Sequence, residues 1–468
     1  MTSEIIGWSA VETADRVARR AVSVTEVISA HLDRIAAVNP GINAVTEVDD
    51  SSLEIARRID AAPLPDDLPP LLGVPVTSKI NTDQTGFSNS NGIPAQAGNI
   101  CDQDSAVVAN LKSAGAIVIG RTNTPEFSLR WFTSNPLYGV TSNPWDANAT
   151  PGGSSGGAAA SVAMGIGSIA HGNDLGGSLR YPAYCCGVAS IRPSLGRIPA
   201  FNPSAGEERP PLTMMMSTQG PIARSIADVR LGLRAMAQRD SRDPQWSGAT
   251  NSGRRREGQI TIGFATNPFS APIHPGVEQA MATACDGLRA AGHRLVETVP
   301  PQADLLARLW GDMLFTETEY ALGPAIREAG SAEMNRLTDG FMMYYQRRDL
   351  QGFLAGLAQR LAGQRAWAQM FDDIDLLLMP TSLVPPFDND QDFVRPETLP
   401  QIIAAQAPLF VINVLGLPSV AVPTGLADGR PVGVQLVGPM HDDAFALDVA
   451  ESLEAQIGRL SDRLLAAG

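Results

Sequence analysis

Short apolar runs of β type alternate with segments of helical spacing along most of this chain. That alternation restricts the fold more than any other feature. GVPVTSKIN (73–81) reads as a strand, a helix follows over 105–114 with Asp104 as its cap and Gly115 as its stop, and AIVIG (116–120) reads as a buried strand. The same order returns with a helix headed by Ser225, a strand at 260–266, a helix at 275–291 and a strand at 294–298. DIDLLLMP (373–380), PSVAVP (418–423) and RPVGVQLVG (430–438) read as further strands, and 442–457 as a terminal helix. The expected class is therefore α/β, with helices on the faces of a sheet. Ahead of this, Ser23 and Glu26 have capping-box spacing for a helix that Asn39–Pro40 should stop. A strand is expected at 42–48, a helix at 51–61 and a Pro-rich loop at 62–72. Residues 303–372 read as mostly helical. The polar stretch 240–258 is a candidate boundary, although strands on either side of it can join one sheet.

Size and charge narrow the functional classes. A chain of 468 residues sets a soft prior of two to three domains. Its 49 acidic against 35 basic side chains, net −14, oppose phosphate backbones and anionic membranes. Neither nucleic acid nor a membrane is an expected partner. No apolar run approaches the roughly 18 residues of a spanning helix. Cys101, Cys185, Cys186 and Cys285 show no CxxC spacing, and MTSEIIGWSAVETADRVARR has no apolar core of a secretory signal. A reducing, cytoplasmic setting is expected.

Only two of the 35 basic residues are lysines, Lys79 and Lys112. Arginine stays charged in proteins, whereas a lysine can be tuned into a base. A lysine that persists in an arginine-rich chain is therefore a candidate for proton transfer. Lys112 fits a solvent-facing helix position and is assigned no role. His31, His171, His274, His293 and His441 form no metal-binding spacing, and no glycine-rich phosphate loop follows a strand. Neither a metal nor a cofactor is expected.

Residues 150–200 are dense in Gly, Ser and Ala, a texture that goes with close backbone approach to a ligand. Gly152–Gly156 formally fits G-x-S-x-G, but the residues before it, SNPWDANATP, do not read as the strand that a nucleophile elbow requires. A second serine closes Asp174-Leu175-Gly176-Gly177-Ser178. Two glycines before a serine let several backbone N–H groups turn toward one point, as stabilisation of an oxyanion needs.

Lys79, GGSSGG at 152–157 and DLGGSLR at 174–180, with Lys79 75 positions before Ser154 and Ser154 24 before Ser178, resemble the amidase signature family. GRTNTPEF (120–127), RYPAYCCGVASIRPSLGRIP (180–199), DLLLMPT (375–381) and GLPSVAVPTGLADGRPVGVQLVGP (416–439) agree, so the resemblance covers nearly the whole chain. It implies one domain over 1–468 with a central mixed sheet flanked by helices on both faces. The helical segment around 303–372 would then shape the substrate site. It also implies Ser178 as nucleophile, Ser154 as a bridging serine after a cis peptide, and Lys79 as base. The backbone N–H groups of Leu175, Gly176, Gly177 and Ser178 would form the oxyanion hole. Ser155, Asp174 and Arg180 would support it, with Cys185 and Cys186 as packing.

The implied activity is hydrolysis of a small-molecule amide through an acyl-enzyme, with anilides, aryl amides, fatty amides and carbamates all open as substrates and ester hydrolysis left undecided. The family includes homodimers. It also includes the glutaminase subunit of tRNA-dependent amidotransferases, which stays open as a second reading. Tyr181 after SLR, where those subunits usually carry glutamine, and the acidic balance oppose it. This chain departs from the common Gly-Thr or Gly-Ser before the aspartate, with Gly172-Asn173 preceded by His171, so the loop entry is expected to differ and His171 is a minor candidate for a place near the site. Met214–Met216, Met313, Phe315, Met342, Met343, Tyr344 and Tyr345 are candidates for an apolar pocket wall.

Overall fold

The computed structural model describes residues 2–250 and 259–467. In chain order the strands are β1 (Val45–Val48), β2 (Pro75–Lys79), β3 (Ile117–Thr122), β4 (Ser134–Asn135), β5 (Gly139–Val140), β6 (Ile169–Asp174) and β7 (Ala189–Arg192). They continue as β8 (Thr218–Ala223), β9 (Thr261–Phe264), β10 (Arg294–Glu297), β11 (Leu376–Pro380), β12 (Ser419–Ala427) and β13 (Arg430–Val437). Among the described residues eleven of these form one sheet in the order β1-β3-β2-β6-β8-β7-β12-β13-β11-β9-β10, while β4 and β5 pair separately. The sheet is mixed: β3, β2 and β6 run parallel, as do β11, β9 and β10, and the remaining neighbours are antiparallel. Strands from both sides of residues 240–258 share it, so that stretch does not divide the sheet. Residues 251–258 of the candidate boundary lie outside the described residues.

The two-residue period of a strand sends alternate side chains to opposite faces. Val76, Val118, Ile169, Val420 and Val422 join one apolar cluster, while Ile117, Ile119, Ala170 and Ala421 join another across the sheet. Both faces are covered, and β11 (LLLMP) accordingly reads as a continuous apolar run, not as alternation. A third cluster is rich in aromatics. It packs the helices Ala303–Ala321, Ala332–Tyr344 and Leu350–Asp373 onto the helix Ala407–Leu415.

Several sequence expectations shift in detail. The first long helix has its capping box at Ser23 and Glu26 but runs past Pro40 to Ile42. Asn39 explains this. Its side chain accepts from the N–H groups of Ala44 and Val45 and donates to the Val45 carbonyl, and so captures the chain as it leaves the helix. The strand expected at 42–48 begins only at Val45 in consequence. The helix Ala106–Ser113 is capped by Ser105, not Asp104. Asp104 instead accepts from the Thr85 N–H and pairs with Lys112. The larger departure is the segment after 150, where three strands (β6, β7 and β8) occupy the middle of the sheet.

Among the described residues no single helix is long and apolar enough to cross a membrane.

His31 is wholly buried, its Nδ1 3.1 Å from both the Gly165 carbonyl and the Gly167 N–H. Burial, with the nearby Arg224 cation acting the same way, pushes its pKa down to about 3. The neutral ring therefore stabilises the fold fully above the unfolded value of about 6.5, and this contribution is lost as pH falls from there toward 3. Denaturant unfolding across pH 7 to 4 should show declining stability, and His31→Asn should make that decline shallower. An unchanged slope in the variant would rule His31 out as a source of acid sensitivity.

Candidate active site

β2 and β6 are parallel neighbours, so their C-terminal ends lie side by side. Clefts at such strand ends are where open α/β sheets place their chemistry. β2 ends with Lys79 and β6 ends with Asn173 and Asp174. The loop 175–179 then turns into the helix Arg180–Cys186, and the turn at 152–155 leads into the helix Gly156–Ala163.

Lys79 is completely buried. Its Nζ lies 2.7 Å from Ser154 Oγ, 2.8 Å from Asn173 Oδ1 and 3.2 Å from Ser155 Oγ. None of these neighbours carries a charge. Burial pushes the ammonium well below its ordinary pKa. The negative charge of Asp174 acts in the opposite direction and does not prevail. The hydrogen-bond inventory then sets the orientation of a neutral amine, which has two N–H donors and one lone pair. Asn173 Oδ1 only accepts, and the Ser155 hydroxyl donates to the Asn173 carbonyl at 3.4 Å. In the neutral form of the amine both therefore receive N–H bonds, and the lone pair is left toward the Ser154 hydroxyl 2.7 Å away. Asn173 is itself oriented by Asn81, which accepts from its Nδ2 at 3.0 Å.

The Gly153–Ser154 peptide is cis. Gly153 is packed so tightly that an added Cβ would stand 2.5 Å from the Arg130 carbonyl oxygen and 2.6 Å from the Phe132 nitrogen. Thr124 Oγ1 donates to the Ser154 carbonyl at 2.8 Å. No strand runs into this turn, so G-x-S-x-G here is not a nucleophile elbow.

Asp174 organises the second loop. Its carboxylate accepts from the N–H groups of Gly177 (2.8 Å) and Leu179 (3.2 Å), from Arg180 through two nitrogens (3.0 and 3.1 Å) and from Asn413 (2.8 Å). Arg192 approaches to 3.9 Å. Burial alone would raise the Asp174 pKa, but the two guanidiniums and Asn413 hold it well below the usual carboxylate range. Arg180 also reaches Gln435 at 2.9 Å and Asn413 Oδ1 at 2.6 Å. Gly177, at φ +100°, takes a backbone conformation that side chains disfavour. Its N–H is taken by Asp174, which leaves only those of Leu175, Gly176 and Ser178 as candidates for the oxyanion hole expected from the sequence. Ser178 is 8% exposed and, among the described residues, its hydroxyl forms no hydrogen bond, with Ser154 included.

His171 is buried on β6 with Nε2 2.8 Å from Gln219, and burial pushes its pKa down to about 4. It makes no hydrogen bond to the lysine or the serines. Lys112 lies outside the site, and all four cysteines are free and buried. Met216, Met313, Phe315 and Tyr345 are core residues, whereas Met343 is mostly exposed. Among the described residues no group of His, Cys, Asp and Glu could hold a metal ion. Sequence reading did not assign the roles of Asn173 and Asn81, nor of Trp131 and Trp310, whose indoles reach the 175–177 loop. The one available signal was Asn173, where the family pattern usually has a hydroxyl residue.

Removing the Asp174 carboxylate leaves two buried guanidiniums short of their counter-charge, a class of change that costs about 3–5 kcal/mol. Asp174→Ala should lower the unfolding free energy by that order in urea melts. A loss below about 1 kcal/mol would mean that the cluster carries little of the stability.

The Amidase family description matches residues 26–447. The chain is 44% identical over 460 residues to an indoleacetamide hydrolase of Bradyrhizobium diazoefficiens, covering 98% of this chain and 88% of that protein. A glutamyl-tRNA(Gln) amidotransferase chain of Roseiflexus castenholzii is more distant, 30% identical over 481 residues, with 95% of this chain and 94% of that protein covered. Among solved structures, a bacterial aryl acylamidase superposes with a TM-score of 0.84 at 25% identity, covering 98% of each chain. The buried lysine, the serine turn and the glycine-serine loop thus sit on a shared architecture, and the chain belongs to the amidase signature family of hydrolases that act on amides.

Proposed function

We propose that this chain hydrolyses a small arylacetamide, with indoleacetamide as the reference substrate, through an acyl-enzyme on Ser178. The observation that carries the chemistry is Lys79 Nζ, buried and 2.7 Å from Ser154 Oγ with no carboxylate in contact. A serine hydroxyl is a weak nucleophile until a base takes its proton. Here the Lys79 lone pair accepts the Ser154 proton while Ser154 accepts that of Ser178, whose Oγ attacks the amide carbon. Substrate binding closes the link from Ser178 to Ser154, since catalytic hydrogen bonds are often long in free enzymes. The N–H groups of Leu175, Gly176 and Ser178 receive the developing oxyanion. Lys79 returns its proton through Ser154 to the departing nitrogen, and ammonia leaves. Water then attacks the acyl carbon by the same relay and releases the carboxylic acid.

The aryl preference is supported by the aromatic cluster against the 175–177 loop. Trp310 stacks on Phe410 at 4.0 Å, Trp131 lies 5.4 Å from the same ring, and Phe341 meets Trp131 edge-on. Trp310, Phe315 and Phe341 come from the 303–372 segment, which in this reading shapes the acyl pocket. The 44% identity to an indoleacetamide hydrolase, against 30% to an amidotransferase chain, supports a free-standing hydrolase. Four free cysteines support a reducing, cytoplasmic setting.

The test is turnover by the isolated chain on indoleacetamide, p-nitroacetanilide and glutamine. Indoleacetamide should be cleaved fastest. Lys79→Ala, Ser154→Ala and Ser178→Ala should each lose about a thousandfold or more in kcat. Activity confined to glutamine, or full activity in Ser178→Ala, would sink the proposal.

A second measurement addresses the base. Asn173→Asp places a carboxylate where Oδ1 now lies 2.8 Å from Nζ. An adjacent opposite charge favours the ammonium and should move the acid limb of kcat/KM upward by about 1–3 pH units. A limb that stays in place would mean that Lys79 is not the titrating group.

A further inference from the structure

Two indole N–H groups end on consecutive carbonyls of the loop that carries Ser178. Trp310 Nε1 donates to the Leu175 carbonyl at 2.9 Å, and Trp131 Nε1 donates to the Gly176 carbonyl at 2.9 Å. In a trans peptide the C=O and the following N–H point in opposite directions within one plane. Holding a carbonyl therefore aims the N–H on the other side of that plane. The peptide whose carbonyl Trp131 holds bears the Gly177 N–H, which is fixed at its other end by Asp174 at 2.8 Å. The preceding peptide, whose carbonyl Trp310 holds, bears the Gly176 N–H.

Packing reinforces this arrangement. An added Cβ on Gly176 would stand 2.6 Å from Trp310 Cζ2, and one on Gly177 would stand 2.4 Å from Leu409 Cδ1. The Trp310 ring is 3% exposed and lies between the loop and Phe410, on which it stacks with planes 5° apart. Trp310 belongs to the helix Ala303–Ala321, far from the loop in sequence. The helical segment thus reaches the Ser178 loop through the Trp310 side chain.

We infer that Trp310 is a positioning residue for amide hydrolysis: its indole N–H locks the Leu175–Gly176 peptide so that the Gly176 N–H is aimed at the oxyanion before substrate arrives. The inference rests on Ser178 being the nucleophile. Donors fixed beforehand need no reorientation as charge develops, so the benefit falls on the transition state and not on substrate binding. A ring acting only as a pocket wall would do the reverse.

The decisive change removes the N–H and keeps the ring. Site-specific 3-benzothienylalanine at position 310 retains the fused ring and its stack but has sulfur in place of N–H, and Trp310→Phe is the genetic counterpart. Rates are read on indoleacetamide and on p-nitrophenyl acetate, so that the choice of amide does not hide the effect. Affinity is read for benzylboronic acid, whose boron becomes tetrahedral on a serine oxygen. The benzothienyl enzyme should lose about tenfold to a hundredfold in kcat with KM within about twofold, and should bind the boronic acid more weakly by a similar factor. Unchanged kcat, or a raised KM at unchanged kcat, overturns the inference. Ser178→Ala is measured in parallel. If it is inactive while the benzothienyl enzyme is unimpaired, only the role of Trp310 falls. If it remains active, the nucleophile assignment falls and the inference with it.

Discussion

A lysine side chain removed from water at the end of a buried strand is the constraint to which the site is fitted. Lys79 pairs with no carboxylate, and desolvation of its ammonium is the largest influence on its titration. An amine so placed is tolerated because every polar atom around it is neutral and correctly oriented. Ser154, Ser155 and Asn173 surround Nζ at 2.7–3.2 Å, and Asn81 holds Asn173 in turn. These groups come from β2, from the turn at 152–155 and from the end of β6. The parallel pairing of β2 with β6 brings them together. If that register slipped by one residue, Lys79 would face the opposite side of the sheet.

The nearest full negative charge is Asp174, one residue beyond Asn173, and its neutralisation is the second requirement. A free carboxylate there would favour the ammonium. Arg180, Arg192, Asn413 and two backbone N–H groups engage it instead, so its charge is directed away from the lysine. The same contacts shape the loop that carries Ser178. One buried anion therefore fixes the backbone of the loop that carries Ser178 while its field on Lys79 is offset by guanidiniums.

The outer architecture was legible in the sequence because its strands are rich in Val, Ile and Leu and are bounded by turn residues, as in β2, β3, β9, β11, β12 and β13. The centre was not. β6 (IAHGND) and β8 (TQGPIA) carry Gly and Pro where strand propensity is low, and packing dictates this composition. A Cβ at Gly220 would stand 2.5 Å from the Ile191 carbonyl oxygen and 2.6 Å from Leu179 Cδ1. β6 and β8 have given up side-chain volume for close backbone approach, and with it the periodic signal on which sequence reading depends. Lys79, Ser154 and Ser178 could be picked out as candidates because residue type and spacing carry the motif. Trp131, Trp310 and Asn81 could not, since their importance comes from contacts spanning 45, 135 and 92 positions.

The distribution of cations follows from the same physics. The buried arginines are structural. Arg121 donates to the carbonyls of Thr82 and Ser88, Arg224 to those of Ile6 and Trp8, and Arg180 and Arg130 to carboxylates. A planar guanidinium suits such work because it offers five fixed donors and keeps its charge. That permanence makes it useless as a proton acceptor. Arginine supplies 33 of the 35 cations, and the mechanism proposed above asks the cation at the end of β2 to give up its charge, which a buried lysine can do and an arginine cannot.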